Sequence, residues 1–267
     1  MNITFDLHTH TVYSHGKGTV EENAVSAKEK GLYGIGITDH GFSHPAFGMR
    51  RKKLDLMRAD CAAAEEKTGE KILLGIESNL RGESGSIDVV EKDYPNLDLI
   101  LAGVHRFIFY KSLGDFVHLL CGNVFRSVLK SPPSKRLVDY NTRCYVNAVK
   151  NNPIDVLTHV GYLCYCDPVE VAKVCADYGT YFEINTKKTH LSDEDWRKVI
   201  DTGVRFVIDS DAHSVDRIGD TAQAEELFKR VDFPLDRIDN IDGRLPNLRF
   251  ANYKKEHGIE SKNTLHR

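Results

Sequence analysis

The chain has little of what would place a protein in a membrane, outside the cell or on nucleic acid. No stretch of its 267 residues stays apolar over the length needed to cross a bilayer. Its opening, Met1-Asn2-Ile3-Thr4, lacks the basic and apolar regions of a secretory leader, which predicts a cytoplasmic protein with no membrane partner. An excess of one charge is also missing. Lys and Arg number 36 against 39 Asp and Glu, a formal net charge of -3, and without a basic stripe a nucleic-acid partner has no support. The six cysteines, at 61, 121, 144, 164, 166 and 175, are too scattered for a disulfide framework and are read as reduced thiols. Only Cys164-Tyr165-Cys166 is close-spaced, and without a second pair it is a weak soft-metal candidate. A glycine-rich phosphate loop is absent after the first apolar segment, which argues against an open dinucleotide-binding sheet.

What is present is an alternation of short apolar runs with helical patterns. Strands are predicted over residues 3–7, 34–38, 71–76, about 97–104, 154–158, 180–184 and 204–208. Helices are predicted over about 20–30, 52–68, 168–178, 192–202 and 220–230, with Gly31 and Gly69 placed to end the first two. That order implies an α/β fold with a parallel sheet covered by helices. The polar residues sit at the C-terminal ends of these runs: His8 and His10, Asp39 and His40, Glu77, His105, His159, Glu183 and Asn185, Asp211 and His213. A closed or nearly closed βα barrel of seven strands gathers those ends on one face.

One buried histidine is ordinarily a hydrogen-bonded core residue. The set as a whole resists that explanation. Of twelve histidines six lie at strand ends and His15 follows in the first loop, whereas His44, His118, His190, His257 and His266 fall elsewhere. Glu77 and Asp211 follow apolar runs, where an uncompensated carboxylate is costly. Metal ions supply the compensating charge. His8, His10, His15, His40, Glu77, His105, His159, Asp211 and His213 are nine candidate ligands, too many for one four-coordinate zinc, and with one bridging carboxylate they suit three ions.

Asp-Leu-His-Thr-His-Thr (6 to 11), Ile-Thr-Asp-His-Gly (37 to 41), Gly-Ile-Glu (75 to 77), Gly-Val-His (103 to 105), Thr-His-Val-Gly (158 to 161) and Ser-Asp-Ala-His (210 to 213) resemble, in this order, the motifs of the PHP superfamily, named for polymerase and histidinol phosphatase. Residues 183 to 186 and 231 to 238 look most like its small stand-alone bacterial phosphatase branch. The resemblance implies a distorted seven-stranded (β/α)7, TIM-like barrel with three divalent ions, zinc first and manganese or iron otherwise. One barrel domain is expected over 1–250, with an insertion at about 106–150 and a C-terminal extension at 251–267. Carried over motif by motif, one ion takes His8, His10, Glu77 and Asp211, a second Glu77, His105 and His159, and a third His15, His40 and His213.

The function expected from this set is hydrolysis of a small phosphomonoester by a metal-bridging hydroxide. Asp211 and His213 are the catalytic candidates, Arg106 and Lys187 the candidate phosphate contacts, and Asp6 a carboxylate that orients an imidazole from behind. Alternatives are a histidinol-phosphatase, an exonuclease-type phosphodiesterase, an amidohydrolase barrel, which would want eight strands and a bridging lysine, and an inactive metal-binding scaffold. The apolar excursion around Phe116–Leu129 reads as a helix on the barrel exterior or as a lid or contact in a homo-oligomer.

Overall fold

The computed structural model describes residues 1–262; residues 263–267, the end of the expected extension with His266 among them, lie outside the described residues. Seven parallel strands pair in chain order: β1 (Phe5–Thr9), β2 (Gly34–Ile37), β3 (Lys71–Asn79), β4 (Leu99–Gly103), β5 (Val156–Leu157), β6 (Tyr181–Asn185) and β7 (Phe206–Asp209). Parallel neighbours need a crossover, and helices supply most of them: α1 (Val20–Glu29), α2 (Leu54–Thr68), α3 (Leu113–Asp115), α4 (Asn123–Leu129), α5 (Lys135–Asn151), α6 (Pro168–Tyr178), α7 (Asp193–Ile200), α8 (Ala222–Phe228) and α9 (Arg249–Glu256). Local chemistry marks their ends. Thr19 and Glu22 form a capping box on α1, Asp167 and Pro168 open α6, and Gly69 and Gly179 close α2 and α6 in the left-handed conformation. No helix among the described residues is long and apolar enough to cross a membrane.

The sheet curls into a nearly closed barrel. Its floor is an apolar layer of Phe5, Leu7, Leu99, Leu101, Val156, Tyr181 and Val207, while Ile35, Ile37, Leu74, Ile100 and Phe182 face the helices. With only seven strands, β7 and β1 meet through a short set of bonds rather than a full ladder: His10 N donates to Ala212 O at 2.8 Å and Leu7 N to Asp209 Oδ1 at 2.8 Å. Asn240 bridges the rest of that gap. Its amide donates to Phe5 O and Ile208 O, at 2.7 and 2.6 Å, and accepts from Ile208 N at 2.9 Å. One side chain thus satisfies backbone groups on both edges that an eighth strand would have paired.

Three details differ from the sequence expectation. β3 extends to Asn79, so Glu77 lies inside the strand rather than just past its end, and β6 runs one residue further than expected, to Asn185. The register of β1 against β2 slips between Asp6 and Thr9. Strict alternation would put Asp6 on the face of His8; with this irregularity Phe5 and Leu7 join the floor and His8 and His10 still turn into the barrel. The third difference is α5, which no strand-end reasoning anticipated. It buries Leu137, Tyr140, Cys144, Tyr145, Ala148 and Val149 at helical spacing.

At the opposite end from the ligands, Asp155 ties three elements together. Its carboxylate accepts from Ile100 N at 2.7 Å and from Phe250 N of α9 at 2.8 Å. Asp155→Ala should leave both N–H groups unsatisfied and cost about 2–4 kcal/mol in urea unfolding. Burial pushes Asp155 up to about 7 from 3.8, against the pull of these two bonds and Arg249. A folded-state value above the unfolded one means stability that is present below 3.8 and lost as pH rises through 7. The parent's advantage over the variant should therefore shrink across that window.

Candidate metal centre

Glu77 is the hub. Its Oε1 lies 2.8 Å from His159 Nε2, 3.2 Å from His105 Nε2 and 3.4 Å from His8 Nε2, and its Oε2 lies 2.8 Å from His40 Nδ1 and 3.7 Å from His10 Nε2. Asp211 approaches from β7, with Oδ1 3.3 Å from His10 Nε2 and 3.2 Å from His213 Nδ1. Three groupings have ligand atoms within 4.8 Å of one another: His8, His10 and Asp211; His40, Glu77 and His105; His10, His40 and His213. His15 lies exposed beside the last of these, its ring stacked on His40 at 4.7 Å and edge-on to His213 at 4.3 Å. His159 completes the Glu77 side. Cys164 and Cys166 take no part, and burial drives both thiols up, Cys166 to about 12, so neither offers a thiolate.

The donor set fits divalent metal ions. His8 Nε2 and His10 Nε2 face each other at 3.1 Å, with Asp211 Oδ1 and both Glu77 oxygens around them. His10 Nδ1 and His159 Nδ1 are buried without a hydrogen-bond partner, which a protein interior seldom leaves. Nitrogen and oxygen donors without sulfur suit zinc, manganese or iron. Electrostatics prepares the ligands. Burial, with the imidazoles of His40 and His213, holds His10 well below the ordinary histidine value; burial brings His40 down to about 3 and His15 to about 4. All three are neutral at pH 7 and keep a lone pair for a metal. Burial works against the charge of Glu77 and Asp211, but neighbouring histidines outweigh it and hold both carboxyls well below the ordinary carboxylate range.

A surrounding shell fixes which nitrogen faces inward. Glu183 Oε1 takes the proton of His8 Nδ1 at 2.6 Å, so Nε2 points at Glu77, and its Oε2 accepts from His159 N at 2.6 Å and Asn185 Nδ2 at 2.9 Å. Asn79 Oδ1 does the same for His105 Nδ1 at 2.8 Å, and Asn79 is held in turn by Asp88 at 2.6 Å. Glu183 and Asn185 were visible as polar strand ends, but nothing in the sequence assigned them partners; Asn79 and Asp88 gave no signal. Asp6, expected to support the site from behind by orienting an imidazole or the metal shell, accepts from the backbone N–H of Ser210 at 3.1 Å and Gly219 at 2.8 Å and so anchors the loop that carries Asp211. Asp39 accepts from Thr11 N at 2.8 Å and from the Ser14 hydroxyl, bracing the turn before His15.

Backbone strain concentrates here. His159, Asp211, Phe107 and Leu163 have positive φ of 33°, 48°, 59° and 56°, a region that side chains with a Cβ rarely adopt. Gly103 lets His159 sit over β4, since a Cβ there would lie 2.7 Å from His159 Cε1. Above the ligands opens a cavity of about 290 Å³ lined by His44, Phe47, Phe107, Tyr162 and Leu163 as well as the ligand side chains. Arg106 and Lys187 are both in its wall. Arg106 Nε is buried with no partner, and Lys187 Nζ lies 3.2 Å from His213 Nδ1 and 3.4 Å from Asp211 Oδ1. Sequence reasoning did not reach the aromatic rim, because its members come from three separate loops, those after β2, β4 and β5.

Comparison with known proteins shows the family. The PHP domain family matches residues 6–187. A probable phosphatase of Caldanaerobacter subterraneus subsp. tengcongensis is 29% identical over 258 residues, covering 90% of this chain and 88% of that protein. A probable phosphatase of Shewanella loihica is 30% identical over 253 residues, covering 90% of each. Among solved structures, histidinol phosphate phosphatase of Lactococcus lactis subsp. lactis, complexed with zinc, L-histidinol and phosphate, has a TM-score of 0.56 at 14% identity, over 87% of this chain and 95% of that one, which is a likeness of fold. The match spans more than half of the chain and contains the strand-end motifs from His8 to His159, and the chain belongs to the PHP domain family.

Proposed function

We propose that this PHP-family phosphatase hydrolyses small phosphomonoesters with divalent ions, three in the full site and zinc first among them, held by His8, His10, His40, Glu77, His105, His159, Asp211 and His213, with His15 adjoining the third. The observation that carries this reading is the convergence of the ligand side chains around the two oxygens of Glu77, beneath a cavity whose wall holds Arg106 and Lys187. The zinc, L-histidinol and phosphate of the Lactococcus lactis enzyme support the same chemistry on a similar fold. Bound ions supply positive charge for phosphoryl oxygens and lower the pKa of a coordinated water toward neutrality.

The chain's own residues do the rest. Arg106, with an unpartnered buried Nε, and Lys187, with a half-exposed ammonium at the mouth, take the non-bridging oxygens of the phosphate and hold phosphorus over the ligand cluster. Asp211 stays ionised, so its part is that of ligand and acceptor, with Lys187 and His213 beside it. Phe47, Phe107 and Tyr162 screen the mouth from water and leave room only for a compact ester. A panel of phosphomonoesters assayed on one sample, with its metals measured by plasma emission, tests the reading. At least two metals per chain with turnover of one ester supports it; fewer than two with no turnover sinks it. Within that assay Lys187→Ala should raise KM about ten- to a hundredfold while changing kcat less, since a charged contact to the bound ester is lost.

A further inference from the structure

The excursion between β4 and α5 is a helix with apolar residues on two sides. One side is accounted for: Leu119, Leu120 and Asn123 are buried, and His118 stacks on Tyr140 of α5 with ring centroids 4.2 Å apart. The other is not. Leu113, Phe116, Val117, Phe125, Val128 and Leu129 are all exposed, Leu113 to 77% and Val128 to 73%. The wide π-helical turn over Phe116–Gly122 brings Val117 and Phe125 into line, so these residues form one stripe rather than a scatter. Six apolar side chains contiguous on one exposed face exceed what a free surface ordinarily carries.

Charge identifies what covers the stripe. Residues 106–136 hold six cations and one carboxylate, Asp115, in a chain whose net charge is -3; Arg106 lines the cavity and Lys135 is paired with Asp139 at 2.7 Å, which leaves Lys111, Arg126, Lys130 and Arg136 to the rim. Asp115 is turned inward, where it accepts from Ser112 Oγ at 2.6 Å, Glu83 N at 2.8 Å and the Tyr140 hydroxyl, and so offsets nothing at the surface. A second copy docking face to face would bring equal positive charge against this rim. A surface both apolar and anionic matches stripe and rim together. Although the absence of a leader and of a spanning run predicts no membrane partner, we propose that this face docks on a bilayer containing anionic lipid, with the stripe entering the headgroup boundary and the cations paired to lipid phosphate and carboxylate. The same segment reaches the cavity through Arg106 and Phe107, so docking sets the mouth close to the bilayer. Lipid contact itself does not depend on the phosphatase reading.

Vesicle flotation tests this directly, with phosphatidylcholine alone compared against two parts phosphatidylcholine to one part phosphatidylserine. The parent should float with the anionic vesicles only, and raised salt should release it. The pair Phe125→Ser with Val128→Ser, and separately Lys111→Glu with Lys130→Glu, should each weaken partition on the order of tenfold. Both pairs are at the surface away from the cavity, so thermal melts and hydrolysis of a soluble phosphomonoester should match the parent. Failure of the parent to float, equal floating with phosphatidylcholine alone, or undiminished binding by both pairs would overturn the proposal. So would a parent dimer in light scattering that the Phe125 and Val128 changes abolish, since the stripe would then belong to a second copy.

Discussion

Replacing Glu77 by alanine should remove more than one equivalent of metal and lower kcat/KM on the order of a thousandfold or more. Both carboxylate oxygens are engaged, Oε1 toward His8, His105 and His159 and Oε2 toward His10 and His40, so no single grouping can lose Glu77 alone. Five imidazoles would then surround the position with no negative charge between them. A divalent ion placed there would keep one carboxylate, Asp211, on the His8 and His10 side and none on the side of His40, His105 and His159. Metal analysis of Glu77→Ala and Glu77→Gln beside the parent decides the matter. Loss of one equivalent, with the others kept through dialysis, would show that Glu77 serves a single ion.

The second large effect is expected at Glu183, which touches no proposed ion. Its oxygens receive His8 Nδ1 and His159 N, both at 2.6 Å. In Glu183→Gln the carbonyl oxygen goes to the His159 N–H, which has no alternative, and the amide NH2 is left facing His8. His8 Nδ1 must then accept, and its proton moves to Nε2, the atom aimed at Glu77 and Asp211. That tautomer cannot ligate. Metal affinity should fall about ten- to a hundredfold, with activity restored by excess metal and with an unchanged circular dichroism spectrum. A glutamine variant with parental affinity would mean that another contact fixes the His8 tautomer. Glu183→Ala should be worse in a different way, because three buried donors, His8 Nδ1, His159 N and Asn185 Nδ2, lose this acceptor and about 1–3 kcal/mol of stability goes with each that finds no other.

Much of the fold was legible because parallel strands here are short, apolar and buried on both faces, and period and composition mark such runs plainly. All seven lie within a few residues of where the pattern puts them. The misses have physical causes. α5 carries Asn141, Thr142, Cys144 and Tyr145, residues of ordinary helix propensity, and its stability comes from the buried stripe they belong to rather than from local preference. α9 is polar apart from Phe250 and Tyr253, and it is held by Asp155 and by Lys254 Nζ donating to Leu97 O at 2.7 Å, partners far away in sequence.

The sequence by itself determined which residues can ligate and that they stand at the C-terminal ends of strands, since residue type and strand period are local properties. It also carried the family, through ordered motifs. Only the tertiary structure decided how those ligands are shared: that Glu77 reaches five imidazoles, that His10 belongs with both Asp211 and the pair His40 and His213, and that Glu183 and Asn79 choose the tautomers of His8 and His105. Curvature of the sheet, the slip in β1 and the left-handed turns at His159 and Asp211 set those distances. A shift of an ångström changes which atoms can share an ion, and that precision arises from packing the whole barrel, with Asn240 drawing β1 and β7 together where an eighth strand is missing.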